Sequence, residues 1–122
     1  MRRHVAATAP EEACGLLAGA SDEARVVYPI ANALRSPVRF RMDPREQLAA
    51  FKQIEAAGLD LVAIFHSHPN GPAVPSPTDI DESAYPVANL IWTTRDGVWN
   101  ARGYLIHDGR FSEITLQVIN DQ

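Results

Sequence analysis

Cysteine is nearly absent from this 122-residue chain, in which Cys14 is the single example. One cysteine excludes an intramolecular disulfide and a zinc site built mainly from thiolates. Because a free cysteine behaves as a small apolar side chain, we expect Cys14 to be buried in the core.

Long apolar runs and an excess of basic charge are also missing. No stretch approaches the ~18 apolar residues of a membrane span, and Met1-Arg2-Arg3-His4 leads to Pro10 without the apolar core of a signal peptide. Fifteen acidic against eleven basic residues give a net charge of −4, which argues against a nucleic-acid or membrane partner. We therefore expect one cytoplasmic domain over residues 1–122.

Hydrophobic periodicity predicts an α/β fold. Short strands are expected at 12–18 and 25–30, joined by a turn at 19–22. Asp43-Pro44 resembles a helix start, apolar residues recur at helical spacing up to Ala57, and Gly58 resembles a helix stop. The apolar run 59–65 predicts a buried strand. An antiparallel meander is expected to follow at 87–94, 98–107 and 111–119, which completes a mixed central sheet flanked by helices.

Two histidines flank Ser67 where the buried strand ends, directly before the proline-rich loop 69–77. Residues i and i+2 of a strand face the same side, so His66 and His68 can converge on one metal ion while Ser67 faces away. The alternative is a pair of hydrogen-bonded core histidines without a metal.

Asp79 is the candidate third ligand. Two histidines and one carboxylate leave one tetrahedral position open, as in catalytic rather than structural zinc sites. The same segment, with Ser76 as N-cap, Pro77 as first helical residue and Asp79 as third, also predicts a capped helix start. That interpretation requires no catalytic or metal-binding role. A hydrolytic site needs a general base, for which Glu11 and Glu12 are candidates, although acidic residues beside Pro10 are ordinarily a solvated turn.

The set Glu12-Ala-Cys-Gly-Leu-Leu, then His66-Ser-His-Pro, then Pro75-Ser76 and Asp79 resembles the signature of the JAMM (MPN+) metalloprotease family, which includes the prokaryotic JAB proteins. The resemblance covers roughly residues 4–106 and implies the layered architecture that this family shares with cytidine deaminases. It implies that His66, His68 and Asp79 bind Zn²⁺. It further implies that Glu12 moves the proton of a water and that Ser76 hydrogen-bonds the oxyanion. One departure is that only eleven residues precede Glu12, so the helix expected there is short, frayed or begun upstream.

The resemblance also implies the substrate class, an amide bond after the Gly-Gly tail of a ubiquitin-like or sulfur-carrier protein. We expect such a tail to lie along an exposed strand edge beside the site. A homodimer is left open. A cluster formed by Arg35, Arg39, Arg41 and Arg45 is interpreted either as a surface for an acidic partner or as a solvated loop and helix start.

Two other interpretations remain at this stage. Asn70-Gly71 after Pro69 also fits RadC-type domains, although the text around Glu12 fits them less well. A non-catalytic interaction module stabilised by zinc is the alternative outside the enzymes. A zinc nucleoside deaminase is excluded because its motif needs two cysteines.

Overall fold

A six-stranded sheet with the strand order β2-β1-β3-β4-β5-β6 organises the chain. The computed structural model describes residues 1–117. Its helices are α1 (Arg2–Thr8), α2 (Pro44–Ala56) and α3 (Pro77–Asp81), and its strands are β1 (Cys14–Ala20), β2 (Glu23–Ile30), β3 (Asp60–Ser67), β4 (Ala88–Arg95), β5 (Val98–His107) and β6 (Arg110–Ile114).

The sheet is mixed, as predicted. Among the described strands, β3 and β4 are the one parallel pair, with His66 opposite Ile91, and all other neighbours are antiparallel. In the β1–β3 ladder Cys14 lies opposite His66, so the start of β1 and the end of β3 meet at one end of the sheet. Because α1 and α2 pack on this sheet, the α/β class with flanking helices is confirmed.

Apolar side chains form a core on each face of the sheet. Beneath α1, the buried residues are Val5, Ala13, Leu17, Ala63, Phe65, Leu90, Trp92 and Trp99. Beneath α2, they are Cys14, Leu16, Ala18, Ile30, Met42, Ala50, Ile54 and Ile64. Burial of Cys14 is confirmed by its fully inaccessible side chain. With both faces covered around β1 and β3, the strand that carries the histidines is rigidly held.

Local sequence signals explain the limits of α2. The carboxylate of Asp43 accepts hydrogen bonds from the N–H groups of Arg45 and Glu46, which the first turn of a helix would otherwise leave unpaired. The helix ends before Gly58, whose φ of +69° lies in the region that glycine adopts without strain. The predicted helix is therefore confirmed to within one residue.

Three predicted boundaries need correction. β6 ends at Ile114 rather than continuing to 119, because Leu116 folds back against Gly103 instead of extending the ladder. Residues 118 and 119 of that prediction, like 118–122 of the predicted domain, lie outside the described residues. β1 starts at Cys14, since the N–H groups of Glu12 and Ala13 donate to the carbonyl oxygen of Ser36 and the hydroxyl of Ser67 and not to a neighbouring strand's backbone. The predicted strand at 59–65 extends to Ser67 and so includes His66.

Candidate active site

The two histidines converge at the carboxyl end of β3. Their Nε2 atoms lie 3.0 Å apart, and both side chains are buried. Ser67 faces the opposite side, where its Oγ accepts a 2.7 Å hydrogen bond from the N–H of Ala13. The alternation expected of a strand is therefore present, and it brings two imidazoles to one point.

Asp79 meets the histidines from the first turn of α3. Its Oδ2 lies 3.1 Å from Nε2 of His66 and 3.0 Å from Nε2 of His68. The same oxygen accepts a 2.8 Å bond from the N–H of Ser76, whose Oγ in turn accepts a 3.0 Å bond from the N–H of Asp79. The capping box and the convergence with the histidines are thus present together, and the cap fixes the carboxylate beside the imidazoles.

Hydrogen bonding on the far side of His68 sets its tautomer. Nδ1 lies 2.9 Å from the carbonyl oxygen of Pro72, which can only accept, so the proton sits on Nδ1. In the neutral ring Nε2 then carries the lone pair, and only the protonated ring donates from Nε2 to Asp79. Histidines that bind metals usually donate their other ring N–H to a group such as a backbone carbonyl.

The titration of the three groups reflects strong coupling. Burial lowers the pKa of His66, and the hydrogen bond and charge of Asp79 offset this only in part. Burial also opposes ionisation of Asp79, but hydrogen bonds from His66 and His68 outweigh it and hold the pKa of this carboxyl well below its usual range. For His68 burial is again outweighed, here by the bond to Asp79, and the pKa is raised. Asp79 is therefore an anion at any physiological pH.

These atoms fit a divalent cation. Around a tetrahedral Zn²⁺ with bonds of about 2.0–2.1 Å, neighbouring ligand atoms are about 3.3 Å apart, close to the separations between His66, His68 and Asp79. An imidazole lone pair and a carboxylate lone pair aimed at the same point repel each other unless a cation or proton lies between them. Two imidazole nitrogens and one carboxylate oxygen are also donors that zinc commonly takes.

Glu12 lies beside the histidines but further away. One of its carboxylate oxygens is within 4.8 Å of ligand atoms of His66 and His68, whereas the Asp79 oxygen is 3.0–3.1 Å from them. Its side chain is only 3% exposed, and Oε1 has no hydrogen-bond partner among the described residues. Burial raises the pKa of Glu12 to about 7, an effect that the charge of His68 partly offsets. A buried, unpaired carboxyl that titrates near neutrality is suited to exchanging a proton with a reactant.

A cavity of about 320 Å³ opens beside His66 and Asp79. Apolar side chains, among them Phe40, Met42, Ile64 and Tyr85, form much of its wall, and Arg41, Gln47 and Glu82 contribute polar groups. The four arginines of the predicted cluster are all exposed: Arg39 pairs with Glu82 at 3.3 Å, and Arg35 lies 3.9 Å from Glu11. Both interpretations of that cluster stay predictions.

Sequence analysis assigned no role to the groups that support these residues, although Asn32 and Phe40 lie in a stretch, 32–44, that the resemblance to the JAMM family includes. Phe40 stacks on the ring of His66, Pro72 accepts from His68, and Asn32 bonds to the backbone of Glu12. An asparagine and a phenylalanine in an irregular loop carry no periodic signal, and a backbone carbonyl has no sequence signature. The edge strands of the sheet, β2 and β6, carry none of the predicted site residues, and the exposed strand edge expected beside the site stays a prediction.

The chain belongs to the family described as prokaryotic homologs of the JAB domain, whose sequence profile matches residues 1–107. The expected resemblance to the JAMM family is therefore confirmed. Within the described residues, no helix is long and apolar enough to cross a membrane.

Individual relatives share most of their length with this chain. A probable TtuB-protein conjugate cleaving protease from Thermus thermophilus is 43% identical over 119 residues, which are 97% of this chain and 76% of the relative. A CysO-cysteine peptidase from Mycobacterium tuberculosis is 38% identical over 98% of this chain and 84% of its own. A solution structure of a protein from Desulfitobacterium hafniense superposes with a TM-score of 0.82 at 37% identity, covering 93% of this chain and 82% of the other. The names of these two relatives describe a protease and a peptidase.

Proposed function

We propose that this protein is a zinc-dependent peptidase that hydrolyses the amide bond after the C-terminal Gly-Gly tail of a ubiquitin-like or sulfur-carrier protein. One observation carries the proposal: His66, His68 and Asp79 converge within 3.1 Å of one another, and the unpaired carboxyl of Glu12 lies beside them. In the proposal these three residues hold the ion.

Zinc, when bound, polarises the scissile carbonyl and makes a water acidic enough to attack near neutral pH. Glu12 accepts the proton of the attacking water and returns it to the leaving amine. Its burial supports this role, because a pKa raised to about 7 lets one carboxyl act as base and then as acid at the same pH. Its greater distance from the histidines leaves room for a water between them.

Ser76 supplies a hydrogen bond to the oxyanion. Its Oγ accepts from the N–H of Asp79 through a lone pair, so the hydroxyl proton remains free to be donated. As N-cap of α3, the residue is held in place by the same bonds that orient Asp79. A donor fixed before the reaction starts is the usual means of stabilising a developing negative charge.

In the proposal, the substrate tail lies in the cavity beside His66. Phe40, Arg41 and Met42 form one wall, and the backbone of this segment is bridged to Asn32 at Met42. Within the described residues, the N–H and C=O groups of Phe40 and Met42 have no hydrogen-bond partner. An extended peptide can pair with them as an added strand, and glycines fit the narrow approach to the metal. In the proposal, this segment supplies the exposed strand edge expected from the sequence.

The names of the relatives define the substrates to test. One carrier should bear a single cysteine after its Gly-Gly end, and another should be linked through that end to a lysine of a second protein. The zinc-loaded protein should release the extension from at least one of them, seen by mass spectrometry. Failure to cleave either would remove the proposal.

A matched variant separates catalysis from metal binding. Glu12→Gln keeps the size of the side chain but cannot take a proton, so turnover should fall by about 10²–10⁴-fold while bound zinc stays at the wild-type level. Val38→Ala, at an exposed loop position, is the control and should cleave normally. Equal turnover in E12Q and wild type would exclude Glu12 as the general base. If neither protein shows any turnover, the non-catalytic module stabilised by zinc becomes the alternative.

A further inference from the structure

Asn32 follows β2 and lies between the candidate base and the cavity wall. Its side chain is 7% exposed, and its amide makes four hydrogen bonds to the backbone. Nδ2 donates to the carbonyl oxygens of Glu12 (3.1 Å) and Arg39 (2.9 Å). Oδ1 accepts from the N–H groups of Leu34 and Arg41, both at 3.0 Å. Both donors and both acceptor positions of the amide are therefore used.

The backbone of Glu12 is held by this loop and not by the sheet. Its N–H donates to the carbonyl oxygen of Ser36 at 2.8 Å, and its C=O accepts from Asn32. The residue precedes β1, whose ladder begins at Cys14. The position of the Glu12 carboxyl consequently depends on the loop 31–43 more than on the strand that follows it.

Two further partners of Asn32, Arg39 and Arg41, flank Phe40 in the sequence, and Phe40 and Arg41 line the cavity. Arg39 and Arg41 turn their bonded backbone groups toward Asn32, which acts as a substitute for a neighbouring strand. Phe40, between them, stacks on His66 with ring centroids 4.5 Å apart. One buried amide thus joins the base, the wall and, through Phe40, a metal-binding histidine.

We propose that Asn32 is a positioning residue for the reaction, holding Glu12 and the segment Arg39–Met42 in fixed relation to each other. The inference rests on the proposed function, because it assigns to Asn32 the alignment of the general base with the bound substrate tail. Asn32 exchanges no proton with the reactants. An amide is needed at this position because only an amide combines two donors with an acceptor for two N–H groups on so short a side chain.

Asn32→Asp removes the two N–H donors of the side chain and keeps its acceptors. The carboxylate still accepts from Leu34 and Arg41, but it cannot donate to the carbonyl oxygens of Glu12 and Arg39. We expect kcat to fall about 10- to 100-fold, the usual cost of misaligning a catalytic group by about 1 Å, with KM changed less than about threefold. Asn32→Ala loses the donors and the acceptors and should raise KM as well. Val38→Ala, an exposed position on the same loop, is the control and should match wild type.

Zinc content and amide hydrogen exchange are measured on the same variants. In N32D, zinc should remain at one ion per chain, and the Glu12 N–H should exchange faster than in wild type. A kcat within about threefold of wild type in folded, zinc-loaded N32D would overturn the proposal, and so would a kcat loss that only follows a loss of zinc. If N32D does not fold, Asn32→Ser keeps one donor and one acceptor, and an unchanged kcat in N32S would equally overturn it.

The exchange measurement needs no substrate, so it distinguishes the two proposals. If zinc-loaded wild type cleaves no carrier, the proposed function fails. Faster exchange at Glu12 in N32D would then still show that Asn32 holds this residue in place, and unchanged exchange would exclude it.

Discussion

The imidazole of His66 lies nearly face to face with the ring of Phe40, with the two planes inclined by only 23°. Phe40 belongs to the loop 31–43 and His66 to the central sheet, so this stack is a direct contact between the cavity wall and a proposed zinc ligand. The ring orientation of His66 is restrained by it, since Nδ1 of this histidine has no partner among the described residues.

Replacement of Phe40 by alanine should weaken zinc binding. A stacked aromatic pair contributes about 0.5–1.5 kcal/mol beyond the area it buries, which corresponds to about a 2- to 10-fold rise in the Kd for zinc. Competition with a chromophoric chelator measures this Kd. Phe111→Ala, on β6 and partly exposed, should bind zinc like wild type, and an unchanged Kd in F40A would show that the stack does not restrain His66.

Glu12 should make the metal-free protein less stable as the pH rises. Burial raises the pKa of Glu12 from about 4.5 to about 7 in the folded protein, so the unfolded chain loses this proton first. The free energy of unfolding should therefore fall between about pH 4.5 and 7, by at most about 3 kcal/mol, and stay lower above that range.

Glu12→Gln removes this effect because the amide does not ionise. Urea unfolding in the presence of a chelator should give E12Q an advantage over wild type that is larger at pH 8 than at pH 5. An advantage of equal size at both pH values would contradict the buried, unpaired carboxyl.

Cys14 should be unreactive in the folded protein. Its Sγ donates to the carbonyl oxygen of Ile30, and burial raises the pKa of this thiol to about 12, with the charges of Glu12 and Glu46 adding to the effect. Because the thiolate is the reactive form, iodoacetamide at pH 8 should leave the native protein unmodified and alkylate it readily in urea. Comparable rates in both conditions would place Cys14 at an accessible position.

Gly15 should not tolerate a methyl group. A Cβ at this position would lie 2.3 Å from the ring of Phe65 and 2.5 Å from the carbonyl oxygen of Tyr28. We expect Gly15→Ala to lower the free energy of unfolding by about 1–3 kcal/mol, the range for overpacked cores. In the matched variant Gly71→Ala, the added Cβ would meet only the side chain of His68, at 3.3 Å or more, and should cost less than about 1 kcal/mol. Thermal unfolding of both variants tests the order, and equal losses would contradict it.

Removal of zinc should abolish activity without unfolding the sheet. Both hydrophobic cores are held by apolar contacts and the β1–β3–β4 ladders by backbone hydrogen bonds, and neither needs a metal that bridges the three proposed ligands. Far-UV circular dichroism should therefore be retained in a chelator. The melting temperature should fall, because a ligand present at 100 times its Kd contributes about 2.7 kcal/mol to stability. Complete unfolding on chelation would indicate a structural metal site instead.

Much of the fold was predictable because its signals are local. Asp43-Pro44 and Gly58 bracket α2, and the apolar run before His66 marks a buried strand. The pairing of His66 with His68 follows from strand alternation alone, and Asp79 was found by combining a capping pattern with the family signature. Each of these features depends either on neighbours within a few residues or on the family signature itself.

The remaining features depend on contacts between distant parts of the chain. Glu12 is buried because Asn32 and Ser36 hold its backbone, 20 and 24 residues further along the chain. The early end of β6 reflects the space above Gly103 that Leu116 fills. Local patterns contain no information on such contacts, which arise only when the loops fold onto the sheet.

The parallel pairing of β3 with β4 has a consequence for how the protein matures. β2, β1 and β3 form one antiparallel block, β4, β5 and β6 form another, and the segment that crosses between them carries Asp79. The histidines lie at the end of β3 in the first block, so Asp79 joins them only when the crossover is in place. In a partly folded chain without that crossover the proposed metal site lacks its carboxylate, so the proposed activity depends on the finished tertiary structure.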